Sequence, residues 1–122
     1  MNYTDIKISI REAEDILFKL YNIKGKASEL PGEVDFNFRI NVGYEEGYIL
    51  KISRPNENKN YLDFQQQLLQ YIEKNNQYII APKVIKDQKG NSISSIIDEQ
   101  GNTRYVRLLT WISGRLWSEV NP

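Results

Sequence analysis

Strict alternation of apolar and polar residues between positions 34 and 42 is the feature that most constrains the fold of this chain. The apolar positions are Val34, Phe36, Phe38, Ile40 and Val42, and the polar positions between them are Asp35, Asn37, Arg39 and Asn41. Successive side chains of a β-strand point to opposite faces of its sheet, so this pattern predicts a half-buried strand. The chain is therefore expected to build a sheet with one apolar face.

Two helices and four further strands are predicted around this strand. Ser9 and Glu12 fit a capping box, in which serine begins a helix and glutamate follows three residues later. Apolar residues then recur at helical spacing as far as Tyr21. The other predicted elements are strands at 23–30, 47–54, 92–98 and 103–111 and a helix at about 60–75.

The connections between these strands predict how they pair. Every adjacent pair has a short connection, except the pair that spans the second helix. Short connections favour antiparallel strands, with helices packed against the sheet. The predicted fold class is therefore α+β, with a five-stranded antiparallel sheet, an N-terminal helix and one main helix inserted after the third strand.

Composition bounds the chemistry. The 122 residues are enough for one core, so residues 1–122 are expected to form a single domain. The absence of cysteine and histidine excludes disulfides, thiol nucleophiles, imidazole chemistry and most zinc and haem sites. Sixteen basic and sixteen acidic residues cancel, so no overall charge favours nucleic acid or a membrane. With no signal peptide or spanning apolar run, we expect a cytoplasmic protein.

Lys51 lies in the middle of the strand predicted at 47–54. One interpretation is an exposed lysine on a two-layer sheet of an unrelated interaction domain. The other is an inward lysine, because Ile49 shares its face of the strand. Gln65 favours the second interpretation, since it interrupts the apolar stripe of the second helix and a buried amide without a partner costs about 1–3 kcal/mol. The ammonium of Lys51 could supply that partner.

Two further segments are uninformative when each is taken alone. Pro31 and Gly32 form a turn pair, in which proline presets the first dihedral and glycine takes the left-handed one. The last strand runs into a glycine-containing loop after Trp111, where backbone donors and acceptors could pair with the edge of an adenine ring. On periodicity alone, an ordinary hairpin turn and an ordinary strand end are the better explanations of these two segments.

The ordered set of residues 30–40, 48–53 and 106–116 resembles the N-terminal lobe of the aminoglycoside phosphotransferase and choline kinase superfamily, the small-molecule relatives of protein kinases. It is especially similar to hydroxylysine kinase-like phosphotransferase domains, of the type fused to class III aminotransferases. The resemblance implies a protein-kinase-like N-lobe that binds ATP. The residues it implies for nucleotide binding are Gly32, Asn37, Ile49, Lys51, Gln65, Leu109, Thr110 and Ile112.

At the phosphate end, the resemblance implies that the turn from Pro31 to Asn37, including Gly32, folds over the phosphates with its backbone amides as donors. Lys51 would pair with the α- and β-phosphates. Gln65 stands where these kinases usually place a glutamate that holds the lysine. An amide supplies no charge, so Lys51 would be held less firmly or the nearby Asp63 would take over.

At the base end, the resemblance implies that Ile49 presses against the adenine and that Leu109 borders the pocket. The backbone of Thr110 and Ile112 would supply the hydrogen bonds to the adenine edge. Trp111 lies in the same linker, with its side chain directed elsewhere.

Phosphoryl transfer in this superfamily also needs an aspartate base in a His-x-Asp type loop and an aspartate that holds Mg²⁺. By the resemblance both aspartates belong to the C-terminal lobe, and the chain has neither a histidine nor an Asp-Phe-Gly stretch, so no catalytic or metal-binding residue is expected in it. We expect a fragment that is inactive alone. Its partners would be its own C-terminal lobe, further fused domains, ATP and a small-molecule acceptor, with no role for nucleic acid or membrane.

The intact protein is then expected to transfer the γ-phosphate of ATP to a hydroxyl of an amino alcohol or aminoglycoside-like acceptor. The alternative is a non-catalytic kinase-like binding or regulatory module within a multidomain protein. Gln65 is the main support for that alternative.

Overall fold

The computed structural model describes residues 6–31, 35–43, 45–75 and 80–112. Helix α1 (Ile10–Tyr21) precedes strands β1 (Lys26–Leu30), β2 (Phe36–Val42) and β3 (Glu45–Ile52). Helix α2 (Lys59–Asn75) follows, and then come β4 (Val84–Ile85), β5 (Ser94–Ile97) and β6 (Thr103–Thr110). The six described strands form one sheet in the order β1-β2-β3-β6-β4, with β5 also paired to β6, and every pairing is antiparallel.

The α+β prediction is confirmed, with one strand more than expected. The missed strand is β4, which has only two residues and pairs with β6 at Leu108 and Leu109. Such a short segment carries no measurable periodicity, and the buried Pro82 just before it also argues against a strand. The predicted strand at 23–30 is shorter than expected, since pairing begins at Lys26.

Helix α1 begins with the predicted capping box. The Ser9 hydroxyl accepts a hydrogen bond from the Glu12 amide at 3.1 Å, and the Glu12 carboxylate accepts one from the Ser9 amide at the same distance. The helix ends at Asn22, which adopts a left-handed conformation with φ 57°. Both ends are thus fixed by local hydrogen bonds, which lets the helix present one apolar face to the sheet.

The apolar core lies between α1 and one face of the sheet. Alternate residues of β2, β3 and β6 project towards α1, as the alternation in the sequence predicts for β2. The buried core residues of α1 and these strands are Ala13, Leu17, Tyr21, Phe38, Ile40, Leu50, Ile52, Val106 and Leu108. Val34, the first position of the predicted alternation, lies outside the described residues. The opposite face of the same strands carries the polar side chains of Asn37, Lys51 and Arg107.

The hairpin between β2 and β3 depends on Gly47. Its φ is +87°, and a Cβ built there would lie 2.0 Å from the Ile40 carbonyl oxygen. The pairing register also shifts between Ile40 and Val42, next to this close approach. The Gly47 carbonyl accepts a hydrogen bond from the Trp111 amide at 3.2 Å, so the same glycine contacts the end of β6.

Helix α2 starts where the Asn58 side chain accepts a hydrogen bond from the Asn60 amide at 2.9 Å. Its buried residues are Leu62, Gln66 and Leu69. The fully buried amide is thus Gln66, which donates to the Ser92 carbonyl at 3.0 Å, while Gln65 is half-buried. Neither helix in the described part of the chain has both the length and the apolar character needed to cross a bilayer.

Candidate functional site

A row of polar side chains crosses the sheet face opposite α1. Lys51 on β3 pairs in register with Asn37 on β2 and with Arg107 on β6, so the three side chains lie on one face of neighbouring strands. Lys51 and Arg107 are each only 3% exposed. The interpretation of Lys51 as an exposed surface lysine is therefore wrong.

Asp35 brings a carboxylate to the two cations. It lies just before β2, and its Oδ2 accepts a hydrogen bond from Arg107 Nη2 at 2.6 Å. The same oxygen is 4.0 Å from Lys51 Nζ. The side chain of Asp35 is 8% exposed, so these charges meet almost without water. One carboxylate oxygen is thus shared by an ammonium and a guanidinium.

Gln65 reaches the same place from helix α2. Its Oε1 accepts a hydrogen bond from Arg107 Nη1 at 2.7 Å. We call Asp35, Lys51, Gln65 and Arg107 the Lys51 cluster. The sequence predicted that Gln65 would lie near Lys51, and the structure brings it into this cluster through Arg107, which therefore links the helix to the segment before β2.

Sequence reasoning missed Arg107. The signal was present, because strand parity puts Arg107 on the same face as Leu109, which was assigned to the nucleotide pocket. Such a cation beside apolar neighbours could have been weighed as Lys51 was. What parity does not reveal is that β6 pairs directly with β3 and brings Arg107 opposite Lys51.

Burial perturbs the titration of Lys51. Desolvation, with a further contribution from the positive charge of Arg107, lowers the pKa of Lys51 from 10.5 to about 8, while the carboxylate of Asp35 acts in the opposite direction. The ammonium therefore remains the main form at neutral pH. It loses its proton only slightly above neutrality, which is unusual for a lysine.

Apolar side chains lie beside the cluster on the same face. Ile49 on β3 pairs with Leu109 on β6, and both are fully buried. Val84 on β4 pairs with Leu109 from the other side. Arg39 on β2 pairs with Ile49, and its guanidinium lies 4.1 Å from the centroid of the Trp111 ring. On β3 and β6, the charged pair Lys51 and Arg107 is thus followed on the same face by the apolar pair Ile49 and Leu109.

Thr110 and Ile112 lie where β6 ends. The Thr110 amide donates to the Lys83 carbonyl at 3.0 Å, and the Thr110 hydroxyl accepts from the Lys83 amide at 2.9 Å. The amide of Thr110 is therefore already used by the segment before β4. Ile112 is buried.

A cavity of about 200 Å³ lies beside the C-terminal end of β1 and the N-terminal end of β2. It is lined by Glu29, Leu30, Pro31, Asp35, Phe36, Asn37, Phe38 and Arg54. In the described part of the chain, the buried Oδ1 atoms of Asp35 and Asn37 have no hydrogen-bond partner. Each of these oxygens can accept a hydrogen bond from a ligand or from water. Gly32, predicted to cover the phosphates, lies outside the described residues.

The structure therefore brings Asn37, Ile49, Lys51, Gln65 and Leu109 to one region, with Thr110 and Ile112 at its edge. Within the residues described, no group of three or more histidine, cysteine, aspartate or glutamate side chains could hold a metal ion. What the arrangement can do is favour an anion beside the two cations of the Lys51 cluster.

No protein-family model matches the sequence, and a comparison with curated proteins also finds no significant match. Two solved structures nevertheless have a similar fold. A microcompartment-associated aminopropanol kinase is 16% identical, with a TM-score of 0.72 over 87% of this chain and 32% of that chain. An amicoumacin kinase in complex with AMP-PNP, Ca²⁺ and Ami is 17% identical, with a TM-score of 0.74 over 93% of this chain and 35% of that chain.

At this identity, the similarity shows the fold alone. The chain has an α+β kinase-like fold and spans about a third of the length of each of the two kinases. The α+β prediction with an antiparallel sheet and two helices is confirmed in this respect as well.

Proposed function

We propose that this chain is the ATP-binding lobe of a small-molecule kinase. The observation that carries the proposal is a buried Lys51 beside Arg107, with one carboxylate oxygen shared between them, on the face of a kinase-like sheet opposite α1. In the intact protein this lobe would take part in transfer of the γ-phosphate of ATP to a hydroxyl of an amino alcohol or aminoglycoside-like acceptor. Both structural neighbours are small-molecule kinases by description, which supports this class of acceptor.

The phosphate end of ATP fits the Lys51 cluster by charge. Among the four side chains of the cluster, two are cations and only one is a carboxylate. A polyphosphate supplies the negative charge that two buried cations favour. Lys51 would contact the phosphates directly, and Asn37 and Gly32 are proposed as further phosphate-binding residues. Gln65 would act through the guanidinium that it holds.

The adenine end fits the apolar neighbours of the cluster. Ile49 and Leu109 form a fully buried pair one step along the strands from Lys51 and Arg107, and would pack against the flat base. The backbone of Thr110 and Ile112 would hydrogen-bond the adenine edge. Since the Thr110 amide already donates to Lys83, its carbonyl is the group left for the base.

The transfer step needs a base and Mg²⁺ ligands in addition to the Lys51 cluster. The bond between the γ-phosphorus and its bridging oxygen breaks, a bond from the acceptor oxygen to that phosphorus forms, ADP leaves, and a base takes the hydroxyl proton. We assign the base and the Mg²⁺ ligands to a second lobe, and Mg²⁺ would neutralise phosphate charge there. The chain's coverage of only a third of the neighbouring kinases supports this division.

A second candidate is a non-catalytic kinase-like module of a multidomain protein. One observation favours it: the helix α2 residue that reaches the cluster is the neutral Gln65 rather than a glutamate, and its partner is Arg107. Membership in the hydroxylysine kinase-like group fused to aminotransferases also stays a prediction.

Titration of the full-length protein with ATP and Mg²⁺ tests the proposal. We expect binding that weakens at least about tenfold, or about 1.4 kcal/mol, in K51M. K86M removes an exposed lysine and should bind as the wild type does. Turnover of amino alcohols or aminoglycosides, followed by ADP release, would distinguish a kinase from a binding module. Equal ATP affinity in wild type and K51M would contradict the proposed site.

A further inference from the structure

In the proposed function Arg107 contributes positive charge to the Lys51 cluster, but no direct contact with the ligand has been assigned to it. Its two terminal nitrogens donate to different elements, one to Gln65 on α2 and the other to Asp35 before β2. A guanidinium presents such a planar pair of donors to carboxylates and to phosphates alike. The carboxylate at Arg107 therefore marks a position that suits one phosphate oxygen.

Asp35 also connects the two cations with the cavity beside β1 and β2, because it contacts the cations and lines the cavity. It lines the cavity of about 200 Å³ together with Asn37 and Arg54, while its Oδ2 contacts the cations. That volume is smaller than a typical pocket for a whole ligand of drug size. It suits the phosphate end of a nucleotide rather than a nucleoside. A ligand entering from the cavity would meet Asp35 before it met Lys51 or Arg107.

We propose that Arg107 is a second phosphate-binding cation beside Lys51, and that the Asp35 carboxylate occupies the same position until a polyphosphate displaces it. This inference rests on the proposed nucleotide-binding function and adds a residue to it. The ligand class is a chain of two or three linked phosphates, because two adjacent cations can each take an oxygen of a different phosphate. Asp35 thereby competes with the ligand, so its loss strengthens binding.

The test measures binding of inorganic tripolyphosphate and of ATP to the full-length chain by calorimetry. D35N keeps the size of the side chain and one acceptor oxygen but removes the competing charge, so we expect binding about tenfold tighter than in wild type. D98N is the matched control, because Asp98 forms a similarly buried pair with Arg104 at 2.9 Å and the change in net charge is the same. R107M should bind both ligands about tenfold more weakly.

Affinity in D35N that is equal to or below that of D98N would overturn the inference. Wild-type protein labelled with ¹⁵N gives an independent reading if D35N does not fold. The Arg107 Nε resonance should shift on saturation with tripolyphosphate, and that of Arg104 should not. An unmoved Arg107 resonance would also overturn the inference.

The outcomes for the two ligands separate the two proposals. Tighter tripolyphosphate binding in D35N without any ATP binding would support this inference and contradict the nucleotide-binding function. If the affinity for ATP is unchanged in D35N and R107M but lower in K51M, the nucleotide-binding function is supported and this inference is contradicted. No binding of either ligand to any variant would contradict both.

Discussion

Lys51 and Arg107 occupy paired positions on β3 and β6, so two cations face each other across neighbouring strands in the protein interior. Like charges placed directly opposite one another on a sheet are normally destabilising. Here the carboxylate of Asp35 lies at both of them, at 4.0 Å from the ammonium and 2.6 Å from the guanidinium. Placing two buried cations side by side lowers the stability of the fold, and arrangements that lower stability are typical of functional sites.

The first prediction concerns the pH dependence of stability. The pKa of Lys51 is about 8 when folded and returns to about 10.5 on unfolding. Between these values the unfolded chain binds the proton and the folded chain does not, so the free energy of unfolding should rise with pH. Between pH 7 and 9.5 the rise from Lys51 alone should be about 2 kcal/mol. Urea denaturation of wild type and K51M between pH 7 and 9.5 measures the difference.

K86M provides the control for this experiment, because Lys86 is exposed. It should keep the pH dependence of the wild type, whereas K51M should lose the increase above pH 8. Parallel curves for wild type and K51M would show that Lys51 titrates normally in the folded protein.

The second prediction concerns the missing charge on α2. In Q65E a carboxylate would meet Arg107 and reduce the positive charge that Lys51 senses. We therefore expect the pKa of Lys51 to rise from about 8 towards its ordinary value. A pH titration of the Lys51 Nζ resonance by NMR measures this change. Q67E adds the same charge at an exposed position of the helix and should leave Lys51 unaffected; equal shifts in the two variants would be inconsistent with the contact.

The third prediction concerns the other buried arginine. Arg104 donates to the Asp98 carboxylate at 2.9 Å, to the Ser53 carbonyl at 3.2 Å and to the Ile6 carbonyl at 2.6 Å. In R104M these buried acceptors lose their donors, so we expect a loss of about 3–5 kcal/mol of stability. Urea denaturation measures it, with R11M on the exposed face of α1 as the control. Similar decreases in the free energy of unfolding in R104M and R11M would mean that the buried hydrogen bonds of Arg104 do not stabilise the fold.

The fourth prediction concerns the β2–β3 hairpin. G47A should destabilise the protein both through backbone strain at φ +87° and through contact with the Ile40 carbonyl. G90A has nearly the same φ, +84°, but its new Cβ meets nothing within 4 Å. Strain alone costs about 1–3 kcal/mol, so thermal unfolding should show a clearly larger loss in G47A. Equal losses would exclude the close approach as the cause.

The alternation from Val34 to Val42 was enough to predict β2 and the layer against which it packs, because strand periodicity is a local property. The capping box at Ser9 and Glu12 was predicted for the same reason. The buried position of Lys51 was one of two interpretations left open by the sequence, and it was favoured by the apolar neighbour Ile49 and by Gln65 on the second helix. These inferences used only residues close together in sequence.

The role of Arg107 could not be predicted in this way. Its partner Asp35 lies far away in sequence, and the two meet only because β3 and β6 are neighbours in the sheet. Strand β4 was not predicted because it has only two residues, and these are extended only because they pair with β6. Contacts of this kind depend on the order of strands in the sheet, which local patterns do not fix.

The guanidinium of Arg107 has a mechanical consequence. Its nitrogens lie in one rigid plane, and they donate hydrogen bonds to Gln65 on helix α2 and to Asp35 just before β2. Neither element can tilt alone without stretching one of these two hydrogen bonds. Because Arg107 joins these two elements, a ligand that displaces Asp35 from the guanidinium would also alter the contact that helix α2 makes through Gln65.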